Sequence, residues 1–290
     1  MPSRMPLFSM FLLLFASVLC DAQTATCTNW SLFALPSPWV NTGGSGINRW
    51  GTVVGIANKY GSYPLHIGYG FTRYSNGAFK TYMAPNASHT EFTRSNALGV
   101  TVGSYDSHGL VLSGTSLATV DYPGAASTSL SGINYWGSIV GNYSNRDGTL
   151  GAFELKNGVF TPISYPGSVD TFAASISDKG VIVGHYHVYQ PPYFHGFVLT
   201  NGVYKTLDYP DAAGGTFLSD INSSGVIGGN SSGVIGGTYV QNHGFIYING
   251  TFKDIIVPKH GYAPVYGING YGYVTGTYGS GINSYTAHCQ

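Results

Sequence analysis

The sequence predicts an all-β fold: a six-bladed β-propeller of four-stranded antiparallel blades, with a composite last blade closed by the N-terminal strand. Three observations predict it. The pattern Asn-x-x-Gly-x-x-x-Gly, with one Ser in place of Asn, recurs six times along the 290 residues. Each of the first five copies is followed by an aromatic segment that ends in a tight turn and by another that ends at proline, giving four extended segments per unit. Gly (42), Tyr (23) and Phe (15) are abundant and only 8% of residues are charged, which suits short strands and tight turns better than helices.

The chain opens with Arg4 and the apolar run "LFSMFLLLFASVL" from Leu7 to Leu19, too short to span a bilayer comfortably. Residues 1–22 are read as a signal peptide cleaved after Ala22, and 23–290 as a single propeller domain of an exported protein without a transmembrane anchor.

The units begin near 46, 94, 132, 175, 220 and 267: "GINRWGTVVGIA", "RSNALGVTVGSY", "GINYWGSIVGNY", "SISDKGVIVGHY", "DINSSGVIGG" and "GINGYGYVTGTY". Strand A runs into Ile-Asn and strand B out through "GxIVGxY". Strand C carries "HGF", as in "HGLVLSG", "HGFVLTNG" and "HGFIYING", whose trailing Ser-Gly and Asn-Gly pairs are hairpin turns. Strand D ends in "YMAP", "VDYP", "ISYP", "LDYP" or "IIVP", where proline stops a ladder at a strand exit. In the fifth unit "NSSGVIGG" is written twice, at 222–237. The eight extra residues are expected to lengthen that blade's A–B hairpin.

The sixth unit lacks a strand D, and "SLFALPSPWVNTGGSGIN" at the mature N-terminus aligns with "SLATVDYPGAASTSLSGIN". Residues near 30 to 36 should therefore supply the missing outer strand and remove an open sheet edge. Cys27 and Cys289 then fall on neighbouring strands, and a disulfide is expected between them.

The combination of "GIN..G.IVG.Y", "HGF" and "DYPGA" resembles the extracellular HAF-type repeat of exported bacterial proteins, over nearly all of the mature chain. Ser177 for Asn, Gly151-Ala152-Phe153 for His-Gly-Phe and the doubled segment depart from that pattern. The resemblance implies a repeat architecture and no particular activity.

Twelve Lys and Arg balance twelve Asp and Glu at a pI near 7.1, which gives no electrostatic reason to expect nucleic acid or an anionic membrane. Eight of the nine histidines belong to B–C or D–A regions, on one face of the disc. Tyrosines outside the repeat join them there, so the ligand-binding candidates are Tyr60, Tyr63, His66, His185, His187, Tyr189, Tyr193 and His195. Such a surface suits a neutral polar ligand, a glycan or a peptide. His185, His187 and His195 could offer three ligands to zinc, but His108 and His243 repeat His195, which points to structure; no metal and no cofactor are expected. The chain has neither a "GxSxG" nucleophile elbow nor a phosphate loop, and no catalytic residue is assigned. The function expected is a secreted, monomeric binding or cell-surface interaction propeller. The alternatives are an exported glycan-active hydrolase or lyase with carboxylates near the axis, and a structural envelope protein.

Overall fold

Each Ile-Asn-x-x-Gly stretch folds as a hairpin closed by its own asparagine. Asn48 Oδ1 accepts from the amides of Trp50 (3.0 Å) and Thr52 (3.1 Å), and the turn ends at Gly51 with φ of 74°, where a side chain would be strained. Asn96, Asn134, Asn222 and Asn269 do the same in their units. Ser177 makes a single such bond, to Val181 N at 3.1 Å.

The computed structural model describes residues 23–60, 66–210, 212, 214–235, 238–279 and 283–290, and at 60, 66, 232–235 and 238–242 the backbone alone. The expected signal peptide and Tyr63 lie outside the described residues. Those residues form strands and no helix, and hence no helix long and apolar enough to cross a membrane.

Six antiparallel sheets follow one another as blades in the order A-B-C-D. Blade one is Trp39–Ile47, Val53–Tyr60, His66–Arg73 and Phe79–Tyr82. Blade two is Thr90–Ser95, Thr101–Tyr105, His108–Ser113 and Ser116–Val120. Blade three is Ser127–Ile133, Ile139–Ser144, Leu150–Lys156 and Val159–Ile163. Blade four is Asp170–Ile176, Ile182–His187, Phe194–Thr200 and Val203–Thr206. Blade five is Gly215–Ile221, Ile227–Ile235, Thr238–Ile248 and Thr251–Asp254. Blade six is Gly267–Ile268, Tyr273–Tyr278, Asn283–Cys289 and, as its outer strand, Cys27–Phe33.

The repeat residues on strands B and C build the blade cores. A Cβ on Gly184 would come 1.9 Å from Phe172 O and 2.8 Å from the ring of Phe197, so only glycine lets strand C's aromatic lie under the A–B pair. The equivalent strand C side chains, Phe71, Leu110, Phe153, Phe197, Phe245 and Tyr285, are all fully buried. Each is worth roughly 1.5–3 kcal/mol by burial.

The same asparagines that close the turns also tie blade to blade. The Nδ2 groups of Asn48, Asn96 and Asn134 donate to the carbonyls of Asn96, Asn134 and Ser177, and those of Asn222 and Asn269 to Asn269 and Asn48. The ring is continuous except after Ser177, which has no amide to offer Asn222. The closure also follows the sequence pattern: Cys27–Phe33 pairs antiparallel with Asn283–Cys289, Cys27 opposite Cys289, and a disulfide joins the two. The closing strand lies slightly before the expected 30–36. Gln23–Thr24 adds a parallel pairing on Lys253–Asp254 of blade five, so residues 23–33 latch two blades.

The doubled segment lies elsewhere than expected. The first copy supplies both the turn at Asn222 and the glycine of strand B, Gly229, and the second copy extends strands B and C, with Gly233, Val234 and Ile235 opposite Val240, Tyr239 and Thr238. The long hairpin is therefore B–C, on the histidine face, and Tyr239 belongs to strand C. Asn230 decides the register: Val265 N donates to its Oδ1 at 2.8 Å, linking blade five to blade six as Asn142 links three to four.

Candidate functional site

The axis is lined by the residue two before each turn asparagine (or Ser177): Gly46, Arg94, Gly132, Ser175, Asp220 and Gly267. Arg94 and Asp220 belong to opposite blades and meet across the axis, Nε to Oδ1 at 3.2 Å, and the three glycines leave room for them. Arg94 donates through Nη1 to the carbonyls of Ser45 (2.5 Å) and Thr93 (2.8 Å), and through Nη2 to those of Ser219 (2.5 Å) and Tyr266 (2.7 Å). Asp220 accepts from Ser175 Oγ and from the amides of Ile221 and Ile268. Both side chains are nearly buried, and the pair divides the central channel into two basins.

The basin on the B–C and D–A face is a funnel of about 480 Å³. Its wall comes from the strand A residue after a buried position and from the strand B residue after the glycine. Phe172 and Phe217 take the first position in blades four and five, Gly43 in blade one and Glu91 in blade two; His185 takes the second in blade four. His185 stacks on Phe172 at 4.9 Å and meets Phe217 edge-on at 4.9 Å. Burial lowers its pKa to about 4, so at neutral pH it is an uncharged imidazole. Burial also pushes the Glu91 carboxyl above its ordinary range, with nearby His89 pulling the other way. Among the described residues neither Glu91's carboxyl nor His185's ring nitrogens take a hydrogen bond.

Of the residues singled out in the sequence, the structure brings His185, His187 and Tyr189 together. Phe194 contacts Phe217 (5.1 Å) and stacks with His187 (5.0 Å), and His187 reaches the exposed ring of Tyr189 (6.3 Å), so aromatic rings climb from the funnel wall to the rim. Tyr193 is half exposed in the same connection. His195 stands apart: it pairs in register with Tyr186, on the opposite face of the sheet from His185 and His187, and its Nδ1 lies 2.7 Å from Asp208 Oδ2. His108 faces Asp121 at 2.8 Å in the same way, so the histidine of "HGF" locks strand C to the aspartate of "DYP". The three-histidine zinc arrangement therefore does not assemble, and no group of three metal-ligating side chains exists among the described residues. Tyr60 and His66 face each other in register at the end of blade one's B–C hairpin. Of the carboxylates, Asp220 is committed to Arg94, and among the described residues Glu91 is the one acid in the funnel lining.

The opposite face carries features that sequence reasoning passed over as turn residues. Trp50 is 60% exposed and Trp136 74%, with Leu98 and Tyr271 also exposed, so the turns of blades six, one, two and three present an apolar crescent. Both indoles are fixed: Trp50 Nε1 donates to Ala97 O at 2.9 Å and Trp136 Nε1 to Asp178 O at 3.2 Å, each in the next blade. Their polar atoms are used; the Arg49 guanidinium, bonded to Tyr271 Oη, lies 4.9 Å over the Trp50 ring, and what remains on offer is the rest of the two ring surfaces. Beside Trp50 runs a groove of about 710 Å³, with hydroxyls from Thr52, Thr72, Thr81, Ser95, Thr101 and Thr115 in its lining and Lys80 as its one charged residue among those described. The tip sequences Asn-Arg-Trp-Gly, Asn-Ala-Leu-Gly, Asn-Tyr-Trp-Gly and Asn-Gly-Tyr-Gly were the available signal: large apolar residues where a solvated turn needs none.

No protein-family model matches the chain, and no curated protein matches it. Among solved structures, TolB from Acinetobacter baumannii is similar at a TM-score of 0.51 and 12% identity, over 82% of this chain and 63% of that one, so this chain spans less than two thirds of it. A triple arginine-to-alanine mutant of AofleA from Arthrobotrys oligospora gives 0.48 at 13% identity, over 92% and 83%. The N-terminal domain of Nup159 gives 0.37 at 9% identity, over 80% and 72%. The likeness to TolB is one of fold, a β-propeller.

Proposed function

We propose that the chain is an exported, non-catalytic binding propeller built of HAF-type repeats, which recognises a neutral polyhydroxyl ligand, a glycan, on the face of the A–B turns. One observation carries the reading: Trp50 and Trp136 are exposed yet held by indole N–H bonds to the neighbouring blade, and a hydroxyl-lined groove whose one charged residue among those described is Lys80 runs beside Trp50. Sugar rings offer C–H faces to aromatic planes and hydroxyls to hydroxyls, and a platform fixed in advance loses little entropy on binding. Export is supported by the Arg4 and Leu7–Leu19 leader pattern and by the Cys27–Cys289 disulfide, a bond that persists in oxidising compartments.

The test is a glycan and peptide array read with the parent protein and with Trp50→Ala and Trp136→Ala. Glycan signals that fall about fivefold or more in each variant are expected, since a lost stacking platform is worth about 1 kcal/mol or more. Binding to peptides alone, or glycan binding indifferent to both substitutions, would overturn the reading.

A further inference from the structure

We propose that the axial funnel on the B–C and D–A face is a second binding site, specific for a protonated primary amine at the end of an aliphatic stem. Three observations converge on that chemistry. Among the described residues the funnel lining holds two charged side chains, Glu91 and Arg94. Arg94 is spoken for: four backbone carbonyls take its Nη hydrogens and Asp220 offsets its charge from below. Glu91, with His89 as its charge neighbour among the described residues, is then the acid that Arg94 does not compensate, and a carboxylate drawn out of water and left without a hydrogen bond calls for a cation that donates.

The wall opposite Glu91 fits the rest of such a ligand. Phe172 and Phe217 stand at the repeat position that Glu91 holds in blade two, and blade five lies directly across the ring from blade two. Their ring faces can stabilise a nearby cation and cover its methylenes. His185 lies between them, within 4.9 Å of both rings, and as a neutral imidazole adds no repulsion while offering a ring nitrogen as acceptor. Gly43 holds the same repeat position in blade one, next to blade two, and puts no side chain into the funnel there. The rings of Phe194, His187 and Tyr189 continue the same wall to the rim, where the stem would emerge.

The site differs from the platform of the A–B turns in face, charge and residues, so the two stand or fall separately. Isothermal titration with Nα-acetyl-lysine amide, its Nε-acetylated form and glucosamine tests it on the intact protein. Binding of an amine probe is expected, about tenfold weaker for the acetylated form and about tenfold weaker in Glu91→Gln, which keeps the shape and removes the charge. Phe217→Leu, which keeps apolar volume without the ring face, should weaken the amine and leave the acetylated form unchanged. Preference for the lysine probe over glucosamine, whose amine sits on the sugar ring without a stem, is expected, and preference for glucosamine would overturn the proposal. Equal affinity for amine and amide, an undiminished amine in a folded Glu91→Gln, or no binding of either amine overturns the proposal.

Discussion

Arg94 of blade two and Asp220 of blade five meet across the propeller axis, Nε to Oδ1 at 3.2 Å, and close the channel between its two faces. Six blades place these two directly opposite, and the small residues Gly46, Gly132, Ser175 and Gly267 complete the axial set. The pair acts as a central rivet, because Arg94 also binds carbonyls of blades one, five and six.

Removing one partner of a buried ion pair strands the other charge, at a cost of about 3 to 5 kcal/mol, whereas removing both costs less than the sum. Asp220→Ala should therefore destabilise by about that amount, and adding Arg94→Met should restore part of the loss. Denaturant unfolding of the four proteins of this cycle checks it, and strictly additive effects would show that the contact carries no coupling.

Ser177 interrupts the ring of asparagine bonds between blades four and five. Ser177→Asn should add the missing donor to the carbonyl of Asn222 and a second turn-closing bond, stabilising the protein by about 1 kcal/mol. A denaturation midpoint that does not rise would mean that the turn of blade four cannot present the amide.

The fold was legible because each repeat residue performs a local task that repeats with it: the asparagine closes a turn, the strand B glycine admits a ring, and the "HGF" histidine holds the "DYP" aspartate. What the repeat hides are its exceptions. Arg94 reads as a poor match to Gly-Ile-Asn, although that mismatch is the rivet. Glu91 reads as a scattered acid until it is aligned with Phe172 and Phe217, and Trp50 and Trp136 read as turn variants. The doubled "NSSGVIGG" could close its turn from either copy, and local pattern alone could not choose. The choice falls to Asn230, whose bond to Val265 lies 35 residues away in the chain. Of the funnel wall and its rim, the sequence singled out His185, His187 and Tyr189 and passed over Glu91, Phe172 and Phe217 beside them.

The Cys27–Cys289 bond closes a loop of 262 residues. In the chain-entropy model such a closure is worth about 5 kcal/mol. The paired Cys27→Ser and Cys289→Ser variant should lose stability on that order, and reductant should lower the melting temperature of the parent but not of the variant. Non-reducing peptide mapping should find the two cysteines in one cross-linked fragment, and two free thiols in the untreated protein would refute the pairing.

The funnel predicts opposite pH signatures for two of its titratable groups, His185 and Glu91. His185 has a folded pKa of about 4 because burial disfavours its cation, below the unfolded value of about 6.5. Between those values the unfolded chain binds more protons, so the histidine's contribution is complete above pH of about 6.5 and falls by up to about 3 kcal/mol as pH drops to about 4. His185→Phe should flatten that decline. Glu91 has its folded pKa raised by burial, so the folded state binds more protons and stability is lost as pH rises from the unfolded pKa through the folded one. Glu91→Gln should accordingly be more stable than the parent at neutral pH and no more stable in acid. Denaturation midpoints of the three proteins across this range separate the effects, and a Glu91→Gln protein with no advantage at neutral pH would show that the carboxylate is not held against its preference. A carboxylate that weakens the fold while facing an open cavity is what a binding group costs before its ligand arrives.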